Sequence, residues 1–133
     1  MSKNLIPVIE YNPNMTCRNA KKSKDSMIRS ICKVTNLDWE EVYNRLCKRG
    51  LEMGCMPDCT NVVVKEFGFK LKDKCRLKVK KFIKKHQVGI FILVVGNYAF
   101  PLTHGAVWDA DSINFEKEFK NCKVDKYFII EDE

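Results

Sequence analysis

The period of the apolar positions changes once along the chain, near Gly89. Before this residue, apolar side chains recur at helical spacing in four stretches, which predicts four helices. After it, short runs rich in β-branched residues alternate with tight turns, which predicts strands over 90–95, 97–102, 106–108 and 126–130. Helices followed by strands indicate the α+β class, with the helices packed on one face of a small antiparallel sheet.

Capping residues mark the ends of the first two predicted helices. Ser23 or Asp25 can cap the first helix, which we expect to be central because its apolar residues lie close together. Asp38 with Glu41 three residues later forms a capping-box-like pair that opens the second helix. Gly50 is the expected end of that helix.

The third and fourth predicted helices lie between 58 and 88. Asp58 can cap the third helix, and Gly68 ends it. The fourth helix follows Asp73, ends near Gln87 and carries many lysines. Its core-facing residues are predicted to be Leu77, Phe82 and Ile83.

The 133 residues, 45% of them hydrophobic, are the size of a single domain with one core. Residues 1–24 are predicted to form an irregular N-terminal arm, because Pro7 and Pro13 interrupt any helix, although Leu5, Val8, Ile9 and Tyr11 could pair as a short edge strand. Residues 25–88 are predicted to be mostly helical and 89–133 mostly sheet.

The longest apolar run, 88–95, is far shorter than the roughly 20 residues that a membrane span needs. The first residues also lack the apolar core and cleavage site of a secretion signal. We therefore expect a cytoplasmic protein with no membrane partner.

Seven cysteines are scattered without a two-residue spacing, so we expect reduced thiols that fill apolar space. Cys55 and Cys59 could begin a zinc site, but no second pair follows, and His86 and His104 lie at unrelated spacings. We expect neither a metal nor a cofactor.

The net charge of +7 is concentrated in one segment. Between Lys70 and Lys85 there are nine basic residues and only one acid, Asp73. Such a stripe either forms a solvated helix face or attracts a polyanion, which could be nucleic acid or an acidic protein surface. The binding residues predicted on this basis are Lys78, Lys80, Lys81, Lys84 and Lys85.

Four stretches of the chain match a known family in order and content. They are DSMIRSI at 25–31, DWEEVY at 38–43, VVGNYA at 94–99 and GAVWD at 105–109. Together they resemble the small papain-like cysteine peptidase homologues of bacteriophages and bacteria, which are related to bacteriocin-processing peptidase domains. The resemblance implies a papain-like fold in which a nucleophilic cysteine opens the central helix, a strand carries the histidine, and an acid orients that histidine.

The chain departs from this family at two of its three catalytic positions. Ser26 stands at the nucleophile position and Tyr98 at the histidine position, and only Asp109 matches the orienting acid. A serine hydroxyl lacks the acidity of a thiol, and a tyrosine cannot act as a base at neutral pH. The resemblance therefore implies a degenerate site at Ser26, Tyr98 and Asp109.

Several functions remain open at this point. The resemblance implies a catalytically inactive pseudo-peptidase that binds or inhibits another protein, such as a phage or mobile-element protein directed at a host defence factor in the host cytoplasm. The three site residues could instead be a helix start, a core aromatic and a turn acid without retained function. The sequence is also compatible with an atypical hydrolase using Ser26, Cys17 or Cys55, and with a nucleic-acid-binding protein using 70–85.

Overall fold

The computed structural model of the chain describes residues 8–10, 25–109 and 119–130. These residues form four helices and a six-stranded sheet. The helices are α1 (Ser26–Thr35), α2 (Trp39–Met53), α3 (Thr60–Phe67) and α4 (Val79–Lys85). The strands are β1 (Val8–Glu10), β2 (Lys70–Lys72), β3 (Ile90–Val95), β4 (Tyr98–Thr103), β5 (Ala106–Asp109) and β6 (Lys126–Ile130).

The sheet is mixed, with strand order β1-β5-β4-β3-β6-β2. Four of its pairings are antiparallel, and β3 and β4 form a hairpin whose register pairs Val95 with Tyr98. At one edge, however, β1 runs parallel to β5, with Val8 opposite Val107. The prediction of a purely antiparallel sheet is wrong there, because a strand from the N-terminal arm adds to the outer edge of β5 in the same direction.

Helices cover both faces of the sheet. Ile92 and Val94 of β3 pack with α1, α2 and α3, whereas Phe91 and Leu93 pack with α4. The prediction that all helices lie on one face is therefore wrong. The physical reason is visible in β3, whose residues 91–94 are all buried, as expected for a strand covered on both sides.

Gly50 lies inside α2 and does not end it. The helix continues to Met53 and closes on Gly54, which adopts a left-handed conformation with φ of 70°. A Cβ atom at Gly50 would lie 2.8 Å from the carbonyl oxygen of Cys55, because the chain folds back against the helix after Gly54. The glycine is thus needed for close approach of the backbone, which corrects its predicted role.

The predicted acidic caps do not cap their helices. Asp25 and Asp38 precede α1 and α2, but neither side chain makes a capping hydrogen bond. α3 begins one residue later than predicted, with Cys59 at the N-cap in place of Asp58, and it ends at Gly68 as predicted. The positions of these helices are confirmed, while the capping contacts are absent from the described residues.

The basic segment contains both a strand and a helix. Lys70–Lys72 forms β2 at the edge of the sheet, and α4 begins only at Val79, so Leu77 lies outside the helix. Phe82 and Ile83 are buried, as predicted, and Leu77 packs against the same cluster. The other strands are confirmed to within a residue or so of their predicted bounds.

The predicted N-terminal arm is described only at β1, which confirms the short edge strand at Val8 and Ile9. The rest of 1–24, including Leu5 and Tyr11, lies outside the described residues. Among the helices described, none is both long and apolar enough to cross a bilayer.

Candidate functional site

The N-terminus of α1 lies against the beginning of β4. Ser26 is the first residue of α1 and Tyr98 the first of β4. The Ser26 hydroxyl accepts a hydrogen bond of 2.9 Å from the backbone N–H of Ala99, and Ser26 and Tyr98 are both buried. The structure thus brings together on one groove Ser26 and Tyr98, the residues for which the resemblance implied the nucleophile and histidine positions.

The sheet geometry explains why a strand N–H is available at this point. β5 pairs with β4 only at Leu102 and Thr103, so Ala99 lies beyond that ladder. A buried backbone donor needs a partner, and the Ser26 side chain provides the acceptor. The serine hydroxyl therefore joins α1 to the sheet.

A buried ion pair lies beside Ser26, between the preceding residue and one a helical turn further along α1. The Arg29 guanidinium pairs with the Asp25 carboxylate, whose second oxygen accepts a hydrogen bond of 3.1 Å from the Trp39 indole N–H. Burial raises the pKa of Asp25, although the Arg29 charge and the Trp39 hydrogen bond oppose this shift. The pair links the beginning of α1 to α2.

Arg29 also connects this ion pair to Tyr98. Its Nη2 donates to the Tyr98 hydroxyl at 3.3 Å, and the Tyr98 ring stacks on Phe119 with ring centroids 4.6 Å apart. Tyr98 is therefore held by structural contacts at both ends of its side chain.

Neither of the chain's two histidines is placed to act on Ser26. His86 stacks on Phe82, with its Nδ1 3.0 Å from the Phe82 carbonyl oxygen, on the α4 side of the sheet. His104 lies in the turn between β4 and β5, at the far end of β4 from Tyr98. The arrangement offers a serine hydroxyl without an imidazole base.

A groove of about 710 Å³ opens beside Ser26 and Tyr98. Its walls come from α1, α2, the loop before α3 and the start of α3, and from β3, β4, the turn between them and β6. The remaining lining residues are Met27, Ile28, Tyr43, Met56, Pro57, Asp58, Thr60, Val94, Gly96, Asn97, Ala99 and Lys126. Met56 and Tyr43 on its rim are 68% and 42% exposed, so the groove presents apolar side chains to a ligand.

None of the cysteines in the described part of the chain lines the groove. Burial, with the Asp25 and Asp38 carboxylates, raises the pKa of the Cys32 thiol to about 12. Cys55 is half-buried and does not line the groove, and Cys17 lies outside the described residues. Within the part of the chain that the structure describes, no group of three His, Cys, Asp or Glu side chains could hold a metal ion.

Asp109, the predicted orienting acid, is the last residue of β5 and pairs in register with Glu10. Its side chain lies outside the described part of the structure. The predicted binding residues Lys78, Lys80, Lys81, Lys84 and Lys85 are all exposed, and they lie on or beside α4, on the other face of the sheet from α1.

Sequence reasoning missed the roles of Arg29 and Trp39 and the groove residue Met56. The spacing of Asp25 and Arg29 at i and i+4 on a predicted helix is a signal that could have identified the ion pair. For Met56, which lies in a loop, we find no such signal in the sequence.

Comparison with known proteins finds no matching family model, no matching curated protein and no matching solved structure.

Proposed function

We propose that this protein is a catalytically inactive binding protein, a pseudo-peptidase with a papain-like architecture, whose groove beside Ser26 holds a segment of a partner protein. The observation that carries the proposal is the hydrogen bond from Ala99 N–H to the Ser26 hydroxyl, at the base of an open groove. The hydroxyl at the position expected for a nucleophile accepts a structural hydrogen bond from the main chain of β4.

The papain-like part of the proposal is supported by the meeting of α1 and β4. A papain-like site needs a helix N-terminus next to a strand that carries the base, and Ser26 and Tyr98 lie in that relation. Helices α1, α2 and α3 on one side and the sheet on the other leave the groove between them.

The absence of catalysis is supported by the chemistry of the groups that meet there. Activation of a serine requires a base within hydrogen-bond reach. The side chain at position 98 is a phenol in place of an imidazole, and neither histidine lines the groove. The atypical hydrolase is therefore less well supported than the catalytically inactive binding protein.

Binding of a protein segment is supported by the lining of the groove. Met27, Met56 and Tyr43 give it polarisable, adaptable apolar walls, which suit varied side chains of a peptide. Lys126 and Asp58 place one charge of each sign along it for orienting a ligand. The resemblance to phage and bacterial homologues suggests a host protein, such as a defence factor, as the partner to be inhibited.

The proposal is tested by selecting peptides from a displayed library on the native protein and measuring their affinity by calorimetry. Met56→Glu should weaken binding at least tenfold, because it places a charge on the apolar rim. Leu51→Glu is the matched control, since Leu51 is 85% exposed and does not line the groove, and it should leave the affinity within twofold.

Catalysis is tested with the same peptides by mass spectrometry. The proposal expects no cleavage after prolonged incubation. Cleavage that is lost in Ser26→Ala would overturn it in favour of a serine hydrolase, and equal loss of affinity in the Met56 and Leu51 variants would remove the groove as the binding site.

A further inference from the structure

A positively charged surface lies on α4, on the opposite face of the sheet from the groove. Val79, Phe82 and Ile83 are buried and fix the orientation of this helix on the sheet. The remaining positions carry lysines in two rows at i and i+4, all exposed. Those lysines are Lys80 with Lys84 and Lys81 with Lys85.

A second segment adds to this surface. The chain around 122–124 runs antiparallel to the residues that enter α4, through hydrogen bonds from Val79 N–H to the Cys122 carbonyl (2.8 Å) and from Val124 N–H to the Leu77 carbonyl (2.9 Å). A β-bridge places Lys78 opposite Lys123, and both are exposed. We call Lys78, Lys80, Lys81, Lys84, Lys85 and Lys123 the basic face.

The described part of the structure provides no acidic partner for the basic face. The ion pairs found among the described residues join arginines of α1 and α2 to acids of the helical layer, and none involves these six lysines. Like charges at i and i+4 destabilise a helix, and lysines near a helix N-terminus oppose its dipole. Lys84 and Lys85 in the last turn of α4 complement the helix dipole, but the two like-charged pairs and the lysines of the first turn oppose helix formation. Helix stability therefore does not account for the four lysines together, so the charges point to a ligand.

The composition of the basic face favours nucleic acid over an acidic protein. Protein interfaces rely on buried aromatic or apolar anchors, whereas contacts to phosphates need only cations. Among the described residues the exposed large apolar side chains are Ile9, Tyr43, Leu51, Met53, Met56 and Val88. Of these, Val88 alone lies near α4, and the described residues place no exposed aromatic ring there for stacking on unpaired bases.

We infer that the basic face binds double-helical DNA through its phosphate backbone, without sequence preference. A single α-helix of about 10–12 Å diameter fits the major groove of B-form DNA, which is about 12 Å wide, but not the narrow, deep major groove of double-helical RNA. The lysines then reach the phosphates on both sides of the helix. This inference is independent of the groove and its ligand.

The test is fluorescence anisotropy of a labelled 20-base-pair DNA duplex titrated with the full chain. Four to five phosphate contacts predict a slope of about −4 for the logarithm of the affinity against the logarithm of the salt concentration. Lys80→Gln with Lys84→Gln should make the slope shallower by about 2 and weaken binding at least tenfold in 50 mM salt. Lys81→Glu with Lys85→Glu should weaken it further while the melting temperature changes little.

The matched control is Lys48→Gln with Lys65→Gln, which removes two exposed lysines from α2 and α3 and should change the affinity less than twofold. The inference is overturned if the duplex does not bind in 50 mM salt, or if the control pair weakens binding as much as the α4 pair. Tighter binding of a polyglutamate peptide would replace DNA with an acidic protein, and tighter binding of an RNA duplex of the same sequence would also exclude the DNA assignment.

Discussion

The hydroxyl of Ser26 and the backbone N–H of Ala99 are joined by a hydrogen bond of 2.9 Å across the junction of α1 and β4. Ser26 is 3% and Ala99 4% exposed, so the hydrogen bond is largely shielded from solvent, although both residues line the groove. This contact uses the Ser26 side chain to satisfy the main chain of β4. It links the first residue of α1 to the sheet.

Ser26→Ala should destabilise the protein by about 1–3 kcal/mol, because the buried Ala99 N–H loses its acceptor. The free energy of unfolding from urea titration measures this effect.

Ser30→Ala is the control for that measurement. Ser30 is also buried on α1, but its hydroxyl donates to the Ser26 carbonyl, which is already positioned to accept the helical hydrogen bond of the same residue. Its loss should cost less than Ser26→Ala. A larger loss for Ser30→Ala would mean that the Ser26 contact contributes little to stability.

Most elements of the fold follow from local patterns in the sequence. The strands at 90–95 and 126–130 are predicted correctly because β-branched runs bounded by turn residues leave few other structures open. The end of α3 at Gly68, which adopts a left-handed conformation, is likewise predicted by the local sequence. Such signals depend on a residue and its near neighbours in the chain.

Other features depend on contacts between distant residues. Gly50 sits within α2 because the loop at Cys55 approaches it, and nothing near Gly50 in sequence distinguishes this role from a helix end. The parallel pairing of β1 with β5 joins residues about a hundred positions apart. The spacing of apolar residues predicts the helix α4 but not the face of the sheet on which it packs, because that face is determined by contacts between distant residues.

The resemblance assigned positions 26 and 98 to one site, and the structure places both residues on the lining of one groove. Their assigned roles stay a prediction. The resemblance did not reveal that Asp25, assigned as a cap, would pair with Arg29 and Trp39. An acid at the start of a helix can either cap the helix or form an ion pair, and contacts with distant residues determine which of the two it does.

Glu66→Gln should lower stability near neutral pH by about 1 kcal/mol, the scale of a partly exposed ion pair. Burial opposes ionisation of Glu66, but hydrogen bonds from Arg45 (2.6 Å) and Arg49 (3.1 Å) outweigh it and hold the pKa of the carboxyl below its ordinary value. A depressed pKa stabilises the fold above the ordinary value of 4.5, and this contribution disappears as the pH falls through the folded-state pKa.

The difference between the native chain and Glu66→Gln should therefore shrink as urea titrations are repeated from pH 7 toward about pH 3. Glu52→Gln is the control, because Glu52 pairs only at the exposed surface with Arg49. That variant should change stability by less than about 0.5 kcal/mol. A Glu66 difference that grows on acidification would contradict the assigned direction of the pKa shift.

Cys32 should remain unmodified by iodoacetamide in the folded protein at pH 8. Its thiol is buried, and a pKa of about 12 leaves almost no thiolate to react. Cys47 and Cys59, which are half-buried, serve as internal comparisons, and peptide mapping by mass spectrometry resolves them. Cys32 should become labelled in guanidinium, and labelling as fast as that of Cys59 in the folded state would show that α1 opens readily.

The proposed degenerate site can be tested by rebuilding it. In Ser26→Cys the helix N-terminus should lower the thiol pKa modestly, but without a base the thiolate fraction stays small. Adding Tyr98→His places an imidazole beside the thiol, where Arg29, now without its tyrosine partner, favours the neutral, proton-accepting form. Residue 26 should then be alkylated by iodoacetamide at pH 7 at least tenfold faster in the double variant than in Ser26→Cys, as measured by peptide mapping.

The control for this reconstruction is Ser30→Cys with Tyr98→His, which places a thiol one helical turn further along α1 at another buried position. Its residue 30 should be no more reactive than in Ser30→Cys alone, because an imidazole at position 98 activates only a thiol within hydrogen-bond reach. If Asp109 orients the new histidine, adding Asp109→Asn to the reactive variant should return the rate toward that of Ser26→Cys. Equal alkylation rates in Ser26→Cys with and without Tyr98→His would mean that the two side chains do not face each other, and the papain-like interpretation of this site would be wrong.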